Sequence, residues 1–257
     1  MSNAPELSNQ IIWLTGASSG IGEAVAEMLA SRCKTLYISA RSEDKLNALA
    51  KHHSNVKALP CDITDPSSLA DAAKIIEQES GYLDTLIANA GTCEYVDVNN
   101  YEADMFRRVL ETNFLGLTNT VGAALTLLKG SKRGYIVGVS SSVSFLPMPR
   151  AQAYGASKAA VSHYLEAMKA DLAGCGIDVS VVSPGFVKTP LTDVNDFPMP
   201  MLMEVDKAAQ AMINGIERRQ WHIQFPKRFT IMLNIIGHLP AFIRHRLTAK
   251  MSRSNAS

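Results

Sequence analysis

Tyr154 and Lys158 stand four residues apart in the run YGASK. On a helix, residues at i and i+4 share one face a turn apart, so a phenol and an ammonium would project into the same space. A neighbouring cation favours phenolate and draws a tyrosine down from its usual value of about 10, the property a proton-donating catalyst needs. Three serines, Ser140, Ser141 and Ser142, close the apolar run Tyr135–Val139 just upstream and can offer a hydroxyl to the same point. An isolated YxxxK is equally what an ordinary surface helix carries, so the pair gains chemical meaning only if the chain also builds a cofactor site.

The elements that would position such a site begin at Ile11–Thr15, a compact apolar run followed by TGASSGIG. Ile21, Val25, Met28 and Leu29 then recur at helical spacing, giving strand, glycine-rich turn and helix. Gly16, Gly20 and Gly22 let the backbone turn tightly and approach a ligand, and the helix N-terminus offers N–H groups to a pyrophosphate. The second strand, Thr35–Ser39, ends at Ala40-Arg41. A carboxylate there would hold a ribose 2′-hydroxyl; an arginine suits a 2′-phosphate, which favours NADP(H) over NAD(H), although Glu43 or Asp44 could instead pair a surface Arg41. A third strand over 56–60 leads to Asp62, which could accept from an adenine amino group or cap a turn before Asp65-Pro66 starts a helix. Thr85–Ala88 ends in Asn89-Ala90-Gly91, small residues that leave room for a ligand, with Asn89 also able to tie neighbouring strands through its amide. Asn113 sits between Leu110 and Leu117 in a long helix expected over 104–128, and its amide must be satisfied by a nearby carbonyl, functional, or both. Further helices are expected over 152–173 and 204–219, and strands over 177–182 and His222–Phe225.

The chain has 257 residues, a formal net charge of +1 and 19% charged residues. It suits one α/β domain and carries no sign of a nucleic-acid partner. Cys33, Cys61, Cys93 and Cys175 form no CxxC pair and no metal-ligand cluster, so no metal is expected and the thiols read as small buried hydrophobes. No signal peptide is visible, and the apolar region 229–243 is broken by Asn234, Gly237, His238 and Pro240, short of the roughly 20 residues a spanning helix needs. A cytoplasmic, soluble protein is the expectation.

TGASSGIG, CDI from Cys61, NAG from Asn89, the serines before YGASK, and SPG at 183–185 occur in one order, and together they resemble the short-chain dehydrogenase/reductase family over about 10–189. The resemblance implies a Rossmann-like, doubly wound parallel sheet of about seven strands with helices on both faces, usually assembled as a homodimer or homotetramer. It implies a catalytic tetrad of Asn113, Ser141, Tyr154 and Lys158, with Ser141 selected because the family's serine lies thirteen residues before its tyrosine. It places Gly16, Ser19, Gly20, Ile21 and Gly22 around the pyrophosphate, and Ser18 and Arg41 at the adenosine ribose and its phosphate. Asp62 and Ile63 would meet adenine, and Asn89, Ala90 and Gly91 would lie beside the cofactor. Pro184, Gly185, Val187 and Thr189 would border the nicotinamide. Expected chemistry is hydride transfer between NADP(H) and a small-molecule carbonyl or alcohol, with Tyr154 as acid, Ser141 positioning the oxygen, Lys158 lowering the tyrosine pKa and Asn113 holding a water; a fold-retaining nucleotide sensor or membrane-peripheral protein is the alternative. Residues 190–205 would form a substrate lid whose methionines and Phe197 favour a hydrophobic substrate. The apolar and basic extension, 227–257, departs from the family ending. It reads as a subunit interface, an extra wall of the cleft or a membrane-surface helix, the first two preferred.

Overall fold

The computed structural model describes residues 6–251 and forms one doubly wound sheet of seven parallel strands. The strands are β1 (Ile11–Thr15), β2 (Thr35–Ser39), β3 (Val56–Ala58), β4 (Thr85–Ala88), β5 (Tyr135–Val139), β6 (Asp178–Pro184) and β7 (His222–Phe225). Their order is β3-β2-β1-β4-β5-β6-β7. The chain winds outward from β1 through β2 to β3, then returns to place β4 on the other side of β1. That reversal leaves a crevice between the carboxyl ends of β1 and β4, where a ligand can reach both.

Helices α1 (Gly20–Ala30), α2 (Glu43–Ala50) and α3 (Pro66–Ser80) fill the first crossovers. The Asp65 carboxylate caps α3 by accepting from Ser67 N at 2.9 Å, with Pro66 in the first turn where its missing N–H costs nothing. The third strand is shorter than expected: Pro60 has no N–H to donate, although Leu59 N and Cys61 N still reach Ile38 O and Ala40 O. The helix expected over 104–128 is instead α4 (Ala103–Leu110), a π-turn at Glu111–Leu115 and α5 (Gly116–Lys129). Asn113 lies in that turn. Helices α6 (Gln152–Leu172), the short α7 (Pro190–Asp193), α8 (Val205–Glu217), α9 (Lys227–Gly237) and α10 (Ala241–Ala249) follow. Arg253 and its neighbours at the end of the basic segment lie outside the described residues.

The pleat of β1 sorts its residues between two cores. Ile12 and Leu14 pack with Val25 and Leu29 of α1 and Met212 and Ile213 of α8. Ile11 and Trp13 face α3, α5 and α6 through Ile76, Val121 and Leu165. Each such side chain, fully removed from water, contributes about 1.5–3 kcal/mol. Two polar side chains of the sheet are paired: Trp13 Nε1 donates to Ser39 Oγ at 2.9 Å, and Tyr135 Oη lies 2.6 Å from Ser180 Oγ.

Helix α6 approaches β5 so closely that a Cβ at Gly138 would lie 2.3 Å from Leu165 Cδ1. Gly138→Ala should therefore cost about 1–3 kcal/mol by overpacking. Gly122, on the exposed side of α5 with nothing within 4 Å of its would-be Cβ, should give the opposite sign. There, Gly122→Ala should stabilise by about 0.5–1 kcal/mol through helix propensity. Urea unfolding of both variants checks the pair; a neutral Gly138→Ala would show that the helix–strand contact is slack.

Candidate active site

Gly16 continues β1 with φ +72° and donates its N–H to Ser39 O at 2.7 Å. A Cβ there would meet Ala90 Cα at 2.7 Å, and one on Gly22 would lie 2.0 Å from Gly16 O. The first turn of α1 is thus pressed onto the strand end, its early N–H groups turned toward the crevice. Ser19, the N-cap residue, makes no side-chain capping bond. Asn89 Nδ2 donates to Thr15 O and Gly16 O, both at 3.2 Å, so this amide ties the end of β4 to the glycine turn.

These ends border one open cleft of about 810 Å³. Its wall holds Gly16, Ser18, Ser19, Gly20, Ile21, Gly22, Arg41, Asp62, Ile63, Asn89, Ala90, Gly91, Ser141, Tyr154, Lys158, Pro184, Gly185, Val187 and Thr189. Of the catalytic and cofactor-binding residues expected from the sequence, Asn113 lies behind it, with no exposed surface. Arg41 is exposed at the β2 end, next to Ala40, where no carboxylate stands. Asp62 Oδ1 accepts from Thr64 N at 2.9 Å and Thr64 Oγ1 at 2.8 Å, so it shapes a turn while facing the cleft.

The three serines separate by their partners. Ser140 Oγ donates to Lys158 O at 2.8 Å and lies 2.7 Å from Ser162 Oγ, which locks β5 to α6. Ser142 is buried in a 3₁₀ turn. Ser141 Oγ accepts from Val143 N at 3.3 Å, and Ser141 lines the cleft together with Tyr154. Lys158, 3% exposed, donates from Nζ to Val139 O at 2.9 Å and sits 5.9 Å from the Tyr154 ring centroid. Burial lowers Lys158 to about 8, leaving it mostly an ammonium at neutral pH. Tyr154 keeps a partly exposed edge on the cleft, yet burial of its hydroxyl holds its pKa above the ordinary tyrosine value. This differs from the lowering expected from Lys158: desolvation is the largest cause, Cys93 adds to the rise, and Ser141 alone pulls downward.

Asn113 has its amide fully engaged. Nδ2 donates to Thr92 O and Ser157 Oγ, both at 2.9 Å, and Oδ1 accepts from Thr92 N at 2.7 Å. The π-turn thereby fastens the loop after β4 to α6, a site where such insertions often serve function.

A smaller, mostly apolar cavity adjoins Ser141 and Tyr154 and is lined by Cys93, Tyr95, Met148, Phe186, Asn195 and Phe229 among others. Burial pushes the Cys93 thiol up to about 11. Leu191, Thr192 and Asn195 of the segment over 190–205 line this cavity. Phe197 meets Tyr95 edge-on at 5.4 Å and Phe186 at 6.0 Å, and Asp196 pairs with Arg150 at 2.6 Å. Asn195 Oδ1 is buried without a hydrogen-bond partner among the described residues. Cys93, Tyr95 and Phe229 were not readable as site residues; their only signal was proximity to NAG and to the apolar C-terminal run. No helix among the described residues is long and apolar enough to cross a membrane, and none of their His, Cys, Asp and Glu side chains group as a metal site.

The family model of short chain dehydrogenases matches residues 10–197. An uncharacterized oxidoreductase of Myxococcus xanthus is 34% identical over 239 residues, covering 91% of this chain and 94% of the relative. A protein named 11-beta-hydroxysteroid dehydrogenase 1A in Arabidopsis thaliana is 32% identical, covering 88% of this chain and 70% of its own. Among solved structures, a short chain dehydrogenase of Burkholderia cenocepacia in complex with NADP superposes with a TM-score of 0.82 at 24% identity, covering 96% of this chain and 99% of that one. One from Burkholderia phymatum in complex with NAD gives 0.81 at 21%, covering 89% and 93%. At these identities the structural likeness is one of fold.

Lys158 also makes a prediction about stability. Its pKa falls from 10.5 unfolded to about 8 folded, so between those values the unfolded chain binds the extra proton and stability rises with pH. Below about pH 8 the full cost of the buried ammonium is present. Lys158→Met removes this dependence, so the stability of wild type relative to the variant should climb from pH 8 to 10.5, read from thermal unfolding followed by circular dichroism. A constant difference would contradict a desolvated lysine.

Proposed function

Because the chain belongs to the short chain dehydrogenase family, we propose that it is an NADP(H)-dependent oxidoreductase acting on a carbonyl or secondary alcohol of apolar character. The observation that carries this reading is the grouping of Ser141, Tyr154 and Lys158 on the wall of the glycine-turn cleft, with Lys158 Nζ 5.9 Å from the Tyr154 ring centroid. The cradle suits a dinucleotide: at Gly16 and Gly22 any Cβ would collide with backbone, and the free end of α1 suits a pyrophosphate. Arg41 beside Ala40 supports a 2′-phosphate and therefore NADP(H).

When bound, the nicotinamide cofactor supplies the hydride. Tyr154 Oη gives its proton to the substrate oxygen, which Ser141 Oγ holds in line. The phenolate left behind is costly in this buried setting, and the Lys158 charge offsets that cost. Asn113 acts by holding the Thr92 loop against Ser157 of α6, so its part is positioning, and the expected water is not assigned to its filled side-chain amide. The ring-lined cavity favours a bulky apolar substrate, in keeping with the hydroxysteroid in the name of the Arabidopsis relative. Asn195 Oδ1 offers an acceptor for a hydroxyl carried by that substrate.

Tyr154→Phe should reduce turnover at least about 100-fold while leaving NADPH affinity within a few fold, measured by steady-state kinetics and calorimetry. Loss of cofactor binding would make the tyrosine structural. Arg41→Ala should weaken NADPH by about 1.5–3 kcal/mol, the value of a hydrogen bond to a charged group, and NADH hardly at all. Equal losses for both cofactors would remove the phosphate role.

A further inference from the structure

We propose that helices α9 and α10 form a docking surface for anionic lipid membranes, on which the protein lies without spanning them. One face of α9 is committed to the protein: Phe229 and Leu233, each 2% exposed, pack against Phe145, Met148 and Phe186. The other face presents Ile231, Met232 and Ile235 to solvent, Ile235 at 62% exposure. Helix α10 continues the surface with Phe242, 75% exposed, and Leu247, and none of its nine residues is buried. A helix this short is marginal in water on its own, and with no residue fully buried it gains little from packing on the rest of the chain. Arg244 Nη1 ties it to α9 by donating to Gly237 O at 2.9 Å. Such a helix calls for something to lie against.

The charge says what. No Asp or Glu stands anywhere after Glu217, whereas Lys227, Arg228, Arg244, Arg246 and Lys250 all fall on this pair of helices or their ends. In a chain with a formal net charge of only +1, the cations are concentrated here and the surplus acid lies elsewhere. Exposed aliphatic and aromatic side chains interleaved with lysine and arginine fit the boundary between acyl chains and anionic headgroups. A second copy fits poorly, because a twofold pairing would set these cations against one another with no carboxylate to receive them. The length limit agrees: no described helix can cross a membrane, so the helices would lie in its surface. On the proposed function, one consequence follows. Phe229 on the inner face of α9 lines the apolar cavity, so a seated enzyme would hold its substrate pocket beside the phase in which apolar carbonyls dissolve.

The test is co-sedimentation of the full chain with vesicles of phosphatidylcholine alone or mixed with phosphatidylglycerol. Wild type should partition at least about tenfold more strongly onto the anionic vesicles and be released by high salt. Ile235→Glu combined with Phe242→Glu, and separately Arg246→Glu combined with Lys250→Glu, should each lower that partition about tenfold or more, with circular dichroism and NADPH binding unchanged. Equal partition onto both vesicle types, or variants that bind as wild type does, would overturn the proposal. So would a lipid-free dimer in analytical ultracentrifugation that both variants dissolve, which would assign the face to a second copy. NADPH binding reads the oxidoreductase site independently of every one of these outcomes.

Discussion

The site depends on how closely α6 lies on β5. At Gly138 the strand has no side chain and Leu165 occupies the space, so the helix axis comes near enough for Ser140 to bond Lys158 O and Ser162. Lys158 can then reach back to Val139 O, and Tyr154, one turn earlier, meets Ser141 at the strand end. Asn113 supplies the third fastening by gripping Thr92 and Ser157 together. Reacting groups carried on a strand end and a helix fixed in this way are held more rigidly than loops could hold them, which is what orientation-dependent catalysis requires.

This arrangement places charge where water is scarce. The buried Lys158 ammonium opposes folding, and the apolar cores on either side of the sheet outweigh it. The same desolvation magnifies the influence of Lys158 on any negative charge that develops at Tyr154. Stability is given up at the place where chemistry is expected, a usual feature of functional sites.

Much of this was legible in the sequence because it rests on local rules. Three glycines after an apolar strand allowed few other turns, and strand ends collected Ala40-Arg41, Asn89-Ala90-Gly91 and the serines as neighbours of one crevice. The break of the C-terminal apolar run at Gly237 and Pro240 was equally readable and separates α9 from α10. The π-turn was not, since Glu111–Leu115 keeps helical periodicity and only the demand of Asn113 for three hydrogen bonds marks it. The direction of the tyrosine pKa was not legible for a similar reason: spacing reveals a neighbouring cation but not the burial that raises the phenol. Tyr95 meets Phe197, and Phe186 stands between Phe197 and Phe229, from segments distant in sequence, and such tertiary contacts leave no periodic trace.

The account's central claim is that the switch-point cleft holds a nicotinamide dinucleotide with its reacting end beside Tyr154. The most direct test is carbonyl-dependent loss of NADPH absorbance across apolar aldehydes, ketones and quinones, with NADPH and NADH binding measured on the same preparation. The account predicts saturable NADPH binding and turnover of at least one bulky apolar carbonyl. A chain that binds neither cofactor would contradict it.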